Sequence, residues 1–155
     1  MLIILSDLHL GCGDELEDFM LWGDRAEGPA AHLRLRARLE LHEAFVAFLV
    51  AKMAQASAAG LVPTLLLLGD SFDFWQARRH RERPHRALDR MLSAHVEVVG
   101  ALRHWMAAGG GVELVVGATD RPLIDARAWG LLREALPGIN TSHRSRPPHY
   151  FADEA

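Results

Sequence analysis

Two short stretches of this sequence carry side chains that could hold a divalent ion. Ser6-Asp7-Leu8-His9-Leu10-Gly11 sets a carboxylate and an imidazole two residues apart. Gly69-Asp70-Ser71-Phe72-Asp73-Phe74-Trp75 sets two carboxylates three apart, behind a glycine that allows close backbone approach. An oxygen donor beside an imidazole nitrogen is a ligand pair that divalent transition ions accept. Taken singly, each stretch has an ordinary alternative. The first reads equally as a capping aspartate with a solvated loop histidine, and the second as an N-cap with an acid in the first helical turn. A third stretch, Val112-Glu113-Leu114-Val115-Val116-Gly117-Ala118-Thr119-Asp120, also runs from apolar residues to a small residue and an acid. It brings no second metal-capable side chain.

All three stretches follow short apolar runs: Leu2–Leu5, Thr64–Leu68 and Val112–Val116. The runs are continuous rather than alternating, which predicts strands of a parallel sheet covered on both faces. Asp7 and His9, two apart just past a strand, are expected to point the same way because strand side chains alternate. Between the runs lie helical patterns. Leu33 to Ala59 carries an apolar face that includes Leu41, Phe45, Phe48, Leu49 and Met53. Leu88, Leu92, His95, Val99, Leu102 and Met106 recur at steps of three and four, one face of one helix. Pro84 suits its start and Gly109-Gly110-Gly111 its end. A third helix is expected after Asp125, a suitable N-cap, and before Pro137-Gly138. The order predicts an α/β fold of βαβ units, with a mainly parallel sheet flanked by helices and right-handed crossovers. Ligands of such sheets bind beyond the carboxyl ends of the strands, where all three polar clusters fall. Two adjacent strands would bring Asp7, His9 and Asp70 together. "RPPHYFADEA" reads as the approach to a further strand.

Size and charge narrow the partners. The 155 residues suit one domain over 1–155 with no linker or repeat, and half of them are hydrophobic. A formal net charge of −3 gives no general attraction to nucleic acid. The single Cys12 cannot form an internal disulfide and reads as a small buried thiol beside a turn. No apolar run reaches the ~18 residues of a membrane span, and "MLIILSD" lacks the basic region of a signal peptide. A cytoplasmic protein is expected, with peripheral membrane contact still open.

"SDLHLG" followed by "GDSFDFW" resembles the calcineurin-like metallophosphoesterases, most closely the bacterial UDP-2,3-diacylglucosamine pyrophosphatase-like branch. "GATDRPL" falls where that family reads Gly-Asn-His-Asp or Gly-Asn-His-Glu, and the resemblance spans most of the chain in order and spacing. It implies a four-layer α/β/β/α sandwich, of which this chain is read as the N-terminal half and hence as an incomplete domain. It implies two divalent ions, often Mn²⁺, sharing a bridging carboxylate and hydroxide, with hydrolysis of a phosphate ester or pyrophosphate as the chemistry. By resemblance Asp7 and His9 hold the first ion, Asp70 bridges, and Asp73 and Asp120 brace the site. A phosphorylated small molecule or nucleotide-linked lipid is the implied substrate.

The chain departs from the family pattern twice. Ala118 stands at the position of the metal-ligating Asn, and Thr119 at that of the His that assists the leaving oxygen. No Gly-His-x-His follows; His143 and His149 read as solvated loop residues. One ion or none is therefore expected here, in a fragment, a chain altered at positions 118 and 119, or a degenerate homologue. The competing reading is an inactive metal-binding or scaffold homologue. A DNA-end nuclease of the same fold is disfavoured by the charge balance.

Other side chains are weighed by position. "ARRHRERPHR" from Ala77 to Arg86 reads first as a solvated helix entry, with Arg78 and Arg79 as candidate contacts for a substrate phosphate and Arg121 as a weaker one. Trp22, Trp75, Trp105 and Trp129 are expected in the core. Asp14 to Asp18 reads as a solvated acidic loop, and His95 as a satisfied core histidine.

Overall fold

In the computed structural model, residues 1–12, 29–75 and 81–141 are described, without the side chains of 29–35 and 38. The elements are β1 (Leu2–Leu5), α1 (Pro29–Ala58), β2 (Thr64–Leu68), α2 (Pro84–Ala94), α3 (Val96–Ala107), β3 (Gly111–Val115), a 3₁₀ turn (Arg121–Ile124), α4 (Ala126–Ala135) and β4 (Asn140–Thr141). The four strands form one parallel sheet in the order β1-β2-β3-β4. The expected α/β class is therefore present, and the short β4 adds a strand that the sequence pattern did not single out.

Local chemistry explains the boundaries. Pro84 opens α2, where its missing N–H costs nothing. Asp125 caps α4 by accepting the N–H groups of Arg127 and Ala128, both at 3.0 Å. Gly109 takes a φ of 92° after α3, a left-handed turn that suits glycine. The helix expected across Leu88–Met106 is divided in two. The break falls at His95, with φ −121° and ψ 40°, whose ring is buried and tied at both nitrogens.

Registers pair Ile3 with Leu65 and Val112, and Leu5 with Leu67 and Leu114. This face is the covered one: Leu65, Leu67, Val112 and Leu114 are fully buried, each contributing about 1.5–3 kcal/mol of transfer free energy. The core continues through Phe72, Phe74, Leu88, Met91, Leu102 and Trp105. The opposite face corrects the expectation of strands covered on both sides. Leu2 is 62% exposed, Ile4 55% and Leu68 46%, and Glu113 of the same face is also exposed. Topology supplies the reason. Each strand is added beside the one before it, so right-handed crossovers all pass over the same face of the sheet. A continuous apolar run records an absence of polar residues, not the presence of two covering layers.

The tryptophans divide. Trp105 is buried and donates Nε1–H to the Gly111 carbonyl at 3.0 Å, and Trp129 packs at the core edge. Trp75 is exposed, against expectation, because Phe72 and Phe74 take the inward positions of that turn. Trp22 lies outside the described residues. Cys12 is partly buried against the core, as expected beside a turn, with Sγ 4.0 Å from the Ala87 carbonyl.

Candidate functional site

The loops leaving β1 and β2 run on side by side. His9 N–H donates to the Asp70 carbonyl at 3.0 Å, Leu10 N–H to Ser71 at 2.9 Å, and Asp73 N–H back to Leu10 at 3.1 Å. Backbone bonding thus continues past the strands and fixes the two clusters against each other. Leu8 and Leu10 are buried, Asp7 is exposed, and the His9 side chain is only 14% exposed.

Asp7, His9 and Asp70 all have left-handed backbones, with φ of 57°, 47° and 46°. Among the described residues the only other non-glycine with positive φ is Arg81. Asp7 and His9 are therefore not a continued strand, and simple alternation is not what juxtaposes them. Asp7 Oδ1 lies 4.0 Å from His9 Nε2, and Asp73 Oδ2 lies 4.0 Å from His9 Nδ1. The imidazole thus sits between two carboxylates. Buried Asp73 also accepts the Trp75 N–H at 3.0 Å, which folds the aromatic turn behind the site.

The third loop closes on Asp70. Thr119 donates both its N–H and its hydroxyl to Asp70 Oδ1, each at 2.9 Å. These bonds, the backbone one first, hold the Asp70 carboxyl below the ordinary carboxylate range against the opposing effect of burial; His9 helps. Asp120, fully buried, accepts the N–H of Phe72 at 2.6 Å, of Gly117 at 2.9 Å and of Ser71 at 3.2 Å. It ties the β3 loop to the β2 loop. Burial nonetheless raises its carboxyl above the ordinary range, and the three N–H groups offset only part of that.

Two glycines make this closure possible. Gly69 has φ 72°, and a Cβ there would sit 3.4 Å from Gly117 Cα. A Cβ on Gly117 would strike the Asp70 nitrogen and lie 2.7 Å from Asp70 Oδ1. The sequence reading missed both this contact and the Thr119 clamp. A hydroxyl residue two after a glycine at a strand end was the available signal, since such residues bond locally to loop groups.

A substitution at Thr119 isolates the hydroxyl. Thr119→Val should raise the Asp70 titration, followed by carboxyl ¹³C NMR, while leaving the backbone bond in place. In the wild type the depressed Asp70 stabilises the fold above the ordinary carboxylate range, and this is lost as pH falls through its lower folded titration. In the variant the loss still begins in the ordinary carboxylate range, but it is smaller and is complete at a higher pH. An unchanged Asp70 curve would show that the hydroxyl does nothing to it.

The remaining nominated residues are placed as follows. Arg121 opens the 3₁₀ turn directly after Asp120 and is exposed. Arg78 and Arg79, the acidic run Asp14 to Asp18, and His143 and His149 lie outside the described residues. Two carboxylates and an imidazole are the right donor chemistry for Mn²⁺. Among the described residues, however, no three His, Cys, Asp or Glu side chains are gathered into a metal cage. Both lone pairs of Asp70 Oδ1 are occupied by Thr119, so only Oδ2 is open to a further ligand. Ala118 can ligate nothing. The donor types suit one ion, but the described geometry does not gather them around one, and nothing at position 118 serves a bridged pair. No family model, curated protein or solved structure matches this chain.

Proposed function

We propose that the chain is a metallophosphoesterase-type hydrolase scaffold for phosphate esters or pyrophosphates, with an incomplete active site. The observation that supports it is the coincidence of backbone strain with chemistry. Three of the four non-glycine left-handed residues described are Asp7, His9 and Asp70. Such conformations are uncommon, although Asp and His enter them more readily than most, and they cluster at functional sites.

In this reading Asp7, His9 and Oδ2 of Asp70 would hold one divalent ion, Mn²⁺ by preference. The ion would polarise a phosphoryl oxygen and acidify a bound water. The chain's own residues do the positioning. Thr119 fixes the Asp70 carboxylate, Asp73 faces His9, and Asp120 holds the third loop against the second. Arg121, with Arg78 and Arg79, is proposed to meet the anionic part of a phosphorylated small molecule or nucleotide-linked lipid. The four-layer α/β/β/α sandwich belongs to the same proposal, because the open face carrying Leu2, Ile4 and Leu68 is the kind of apolar platform on which a second sheet packs. No helix among the described residues is long and apolar enough to cross a membrane. Action in the cytoplasm is proposed with the rest.

Calorimetry with Mn²⁺ tests the reading. One site is expected in the wild type and none in Asp7→Gly or Asp7→Ala; no binding by the folded wild type would refute it. The two variants also separate chemistry from strain. Both remove the carboxylate, but glycine accepts φ 57° without cost, so Asp7→Gly should be more stable than Asp7→Ala by about 1 kcal/mol. Hydrolysis of an aryl phosphodiester should stay near background, because general acid–base assistance worth ~10²–10⁴-fold has no donor at position 119. Two bound ions with fast turnover would contradict the incomplete site. The alternative, a non-catalytic metal-binding or scaffold protein, rests on Ala118 and the Thr119–Asp70 bonds, and it predicts binding with no hydrolysis at all.

A further inference from the structure

β1 is an edge of the sheet, and among the described residues it pairs with β2 alone. The bonds at its two ends fix which way its backbone groups turn. The Met1 ammonium donates to the Val62 carbonyl at 2.9 Å, the Met1 carbonyl accepts the Thr64 N–H at 2.8 Å, and the Asp7 N–H donates to the Gly69 carbonyl at 3.4 Å. Successive residues of a strand turn their backbone groups to opposite sides, so Met1, Ile3, Leu5 and Asp7 address β2. Leu2 and Ile4 turn theirs to the open edge. The same two residues carry the exposed side chains of the strand, at 62% and 55%.

Native sheet edges are guarded by a charge, a proline or a bulge. Leu2-Ile3-Ile4-Leu5 has none of these. The far edge differs, since β4 is only two residues long and both, Asn140 and Thr141, are polar. Symmetry selects the strand that fits β1. In an antiparallel pair, opposed residues alternate between exchanging both backbone bonds and exchanging none. When two copies of β1 meet about a two-fold axis at Ile3, Leu2 of each stands opposite Ile4 of the other. The outward N–H and carbonyl groups of both residues are then bonded. Opposed residues also share a face, so the exposed Leu2 side chain of one copy covers the exposed Ile4 side chain of the other.

We propose that the chain pairs with a second copy through β1, antiparallel and centred on Ile3, so that two four-stranded sheets become one. The four residues of β1 span about 13 Å, and their contact falls short of the about 800 Å² per partner that a standing complex buries. The dimer is therefore reversible and depends on concentration. The loop bearing Asp7 and His9 leaves the carboxyl end of each β1, so the two candidate sites lie at opposite ends of the shared strand pair. The pairing is independent of the metal reading. It lengthens the open apolar face of the sheet and leaves that face uncovered.

Sedimentation equilibrium from about 1 µM to about 1 mM protein tests the pairing, with monomer expected at the low end and dimer at the high end. Exchanging charges tests its register. Leu2→Lys combined with Ile4→Lys sets like charges opposite each other twice and should weaken association about tenfold or more. Leu2→Lys combined with Ile4→Glu sets opposite charges there and should restore it to within about threefold of the wild type. Both positions are exposed, so melting curves of the two double variants should show intact folding. A cysteine pair reads the same register directly. In a Cys12→Ser background, Ile3→Cys should oxidise to a linked dimer well before Leu2→Cys does. Position 3 meets its own copy at a Cα separation of about 4.5 Å, within reach of a disulfide, whereas position 2 meets position 4. A chain still monomeric at about 1 mM overturns the proposal. So does a dimer indifferent to both charge pairs, or one that links through Leu2→Cys as fast as through Ile3→Cys.

Discussion

Replacing Gly117 with alanine should destabilise the chain by about 3 kcal/mol, at the upper end of overpacking penalties. The added methyl would collide with the Asp70 nitrogen and would lie 2.7 Å from Asp70 Oδ1 and 2.8 Å from Gly69 Cα. None of these atoms is the free end of a flexible side chain. Two are backbone, and the third is held by two hydrogen bonds from Thr119. Gly117 is not among the glycines with positive φ, so the requirement at this position is for space rather than for an unusual backbone. Gly100, inside α3 with nothing near its missing Cβ, is the matched control. Gly100→Ala should stabilise by about 0.5–1 kcal/mol through helix propensity. Denaturant unfolding of both variants decides the matter. If Gly117→Ala were as harmless as Gly100→Ala, the close approach of the second and third loops would be wrong.

Asp120→Ala should cost a similar amount, about 3 kcal/mol, by stranding buried donors. The N–H groups of Ser71, Phe72 and Gly117 would all lose their acceptor at once. Asp120→Asn keeps one acceptor oxygen but turns an NH₂ toward at least one backbone N–H, so about half of that cost is expected. Amide exchange at Phe72 and Gly117 should accelerate in both variants. A loss below about 1 kcal/mol in Asp120→Ala would mean that water replaces the carboxylate. The wild-type side chain also leaves a pH signature. Its folded titration is raised, so the unfolded chain releases this proton first, and the contribution of Asp120 falls as pH rises from the ordinary carboxylate range through the raised titration. Neither variant should retain that dependence.

Much of the scaffold was legible in the sequence. Three apolar runs, Pro84, the Gly109-Gly110-Gly111 stop and the Asp125 cap fixed strand, helix and boundary positions to within a few residues, because each is a local preference that the fold kept. The division at His95 was not legible, since periodicity continues through it and only the partners of the ring mark the break. The open sheet face was not legible either, because hydrophobicity does not reveal which neighbours a strand has. At the site, Asp7, His9 and Asp70 could be nominated from type and spacing. What could not be read was the service of Thr119 and Gly117 to Asp70. Both act across 47 or more positions of chain separation, through contacts that exist only once the β3 loop reaches the β2 loop.

The strand order has a consequence for the growing chain on the ribosome. Since β1, β2, β3 and β4 line up in the order of synthesis, every new strand joins an exposed edge and none must be threaded between two already paired. Assembly can therefore keep pace with translation from the first pair onward. The carboxylate of Asp70 then spends an interval beside β1 without its clamp, because Thr119 and Asp120 are made some fifty residues later. Positioning of Asp70 therefore waits for the third strand and its loop, well after the first strand pair can form.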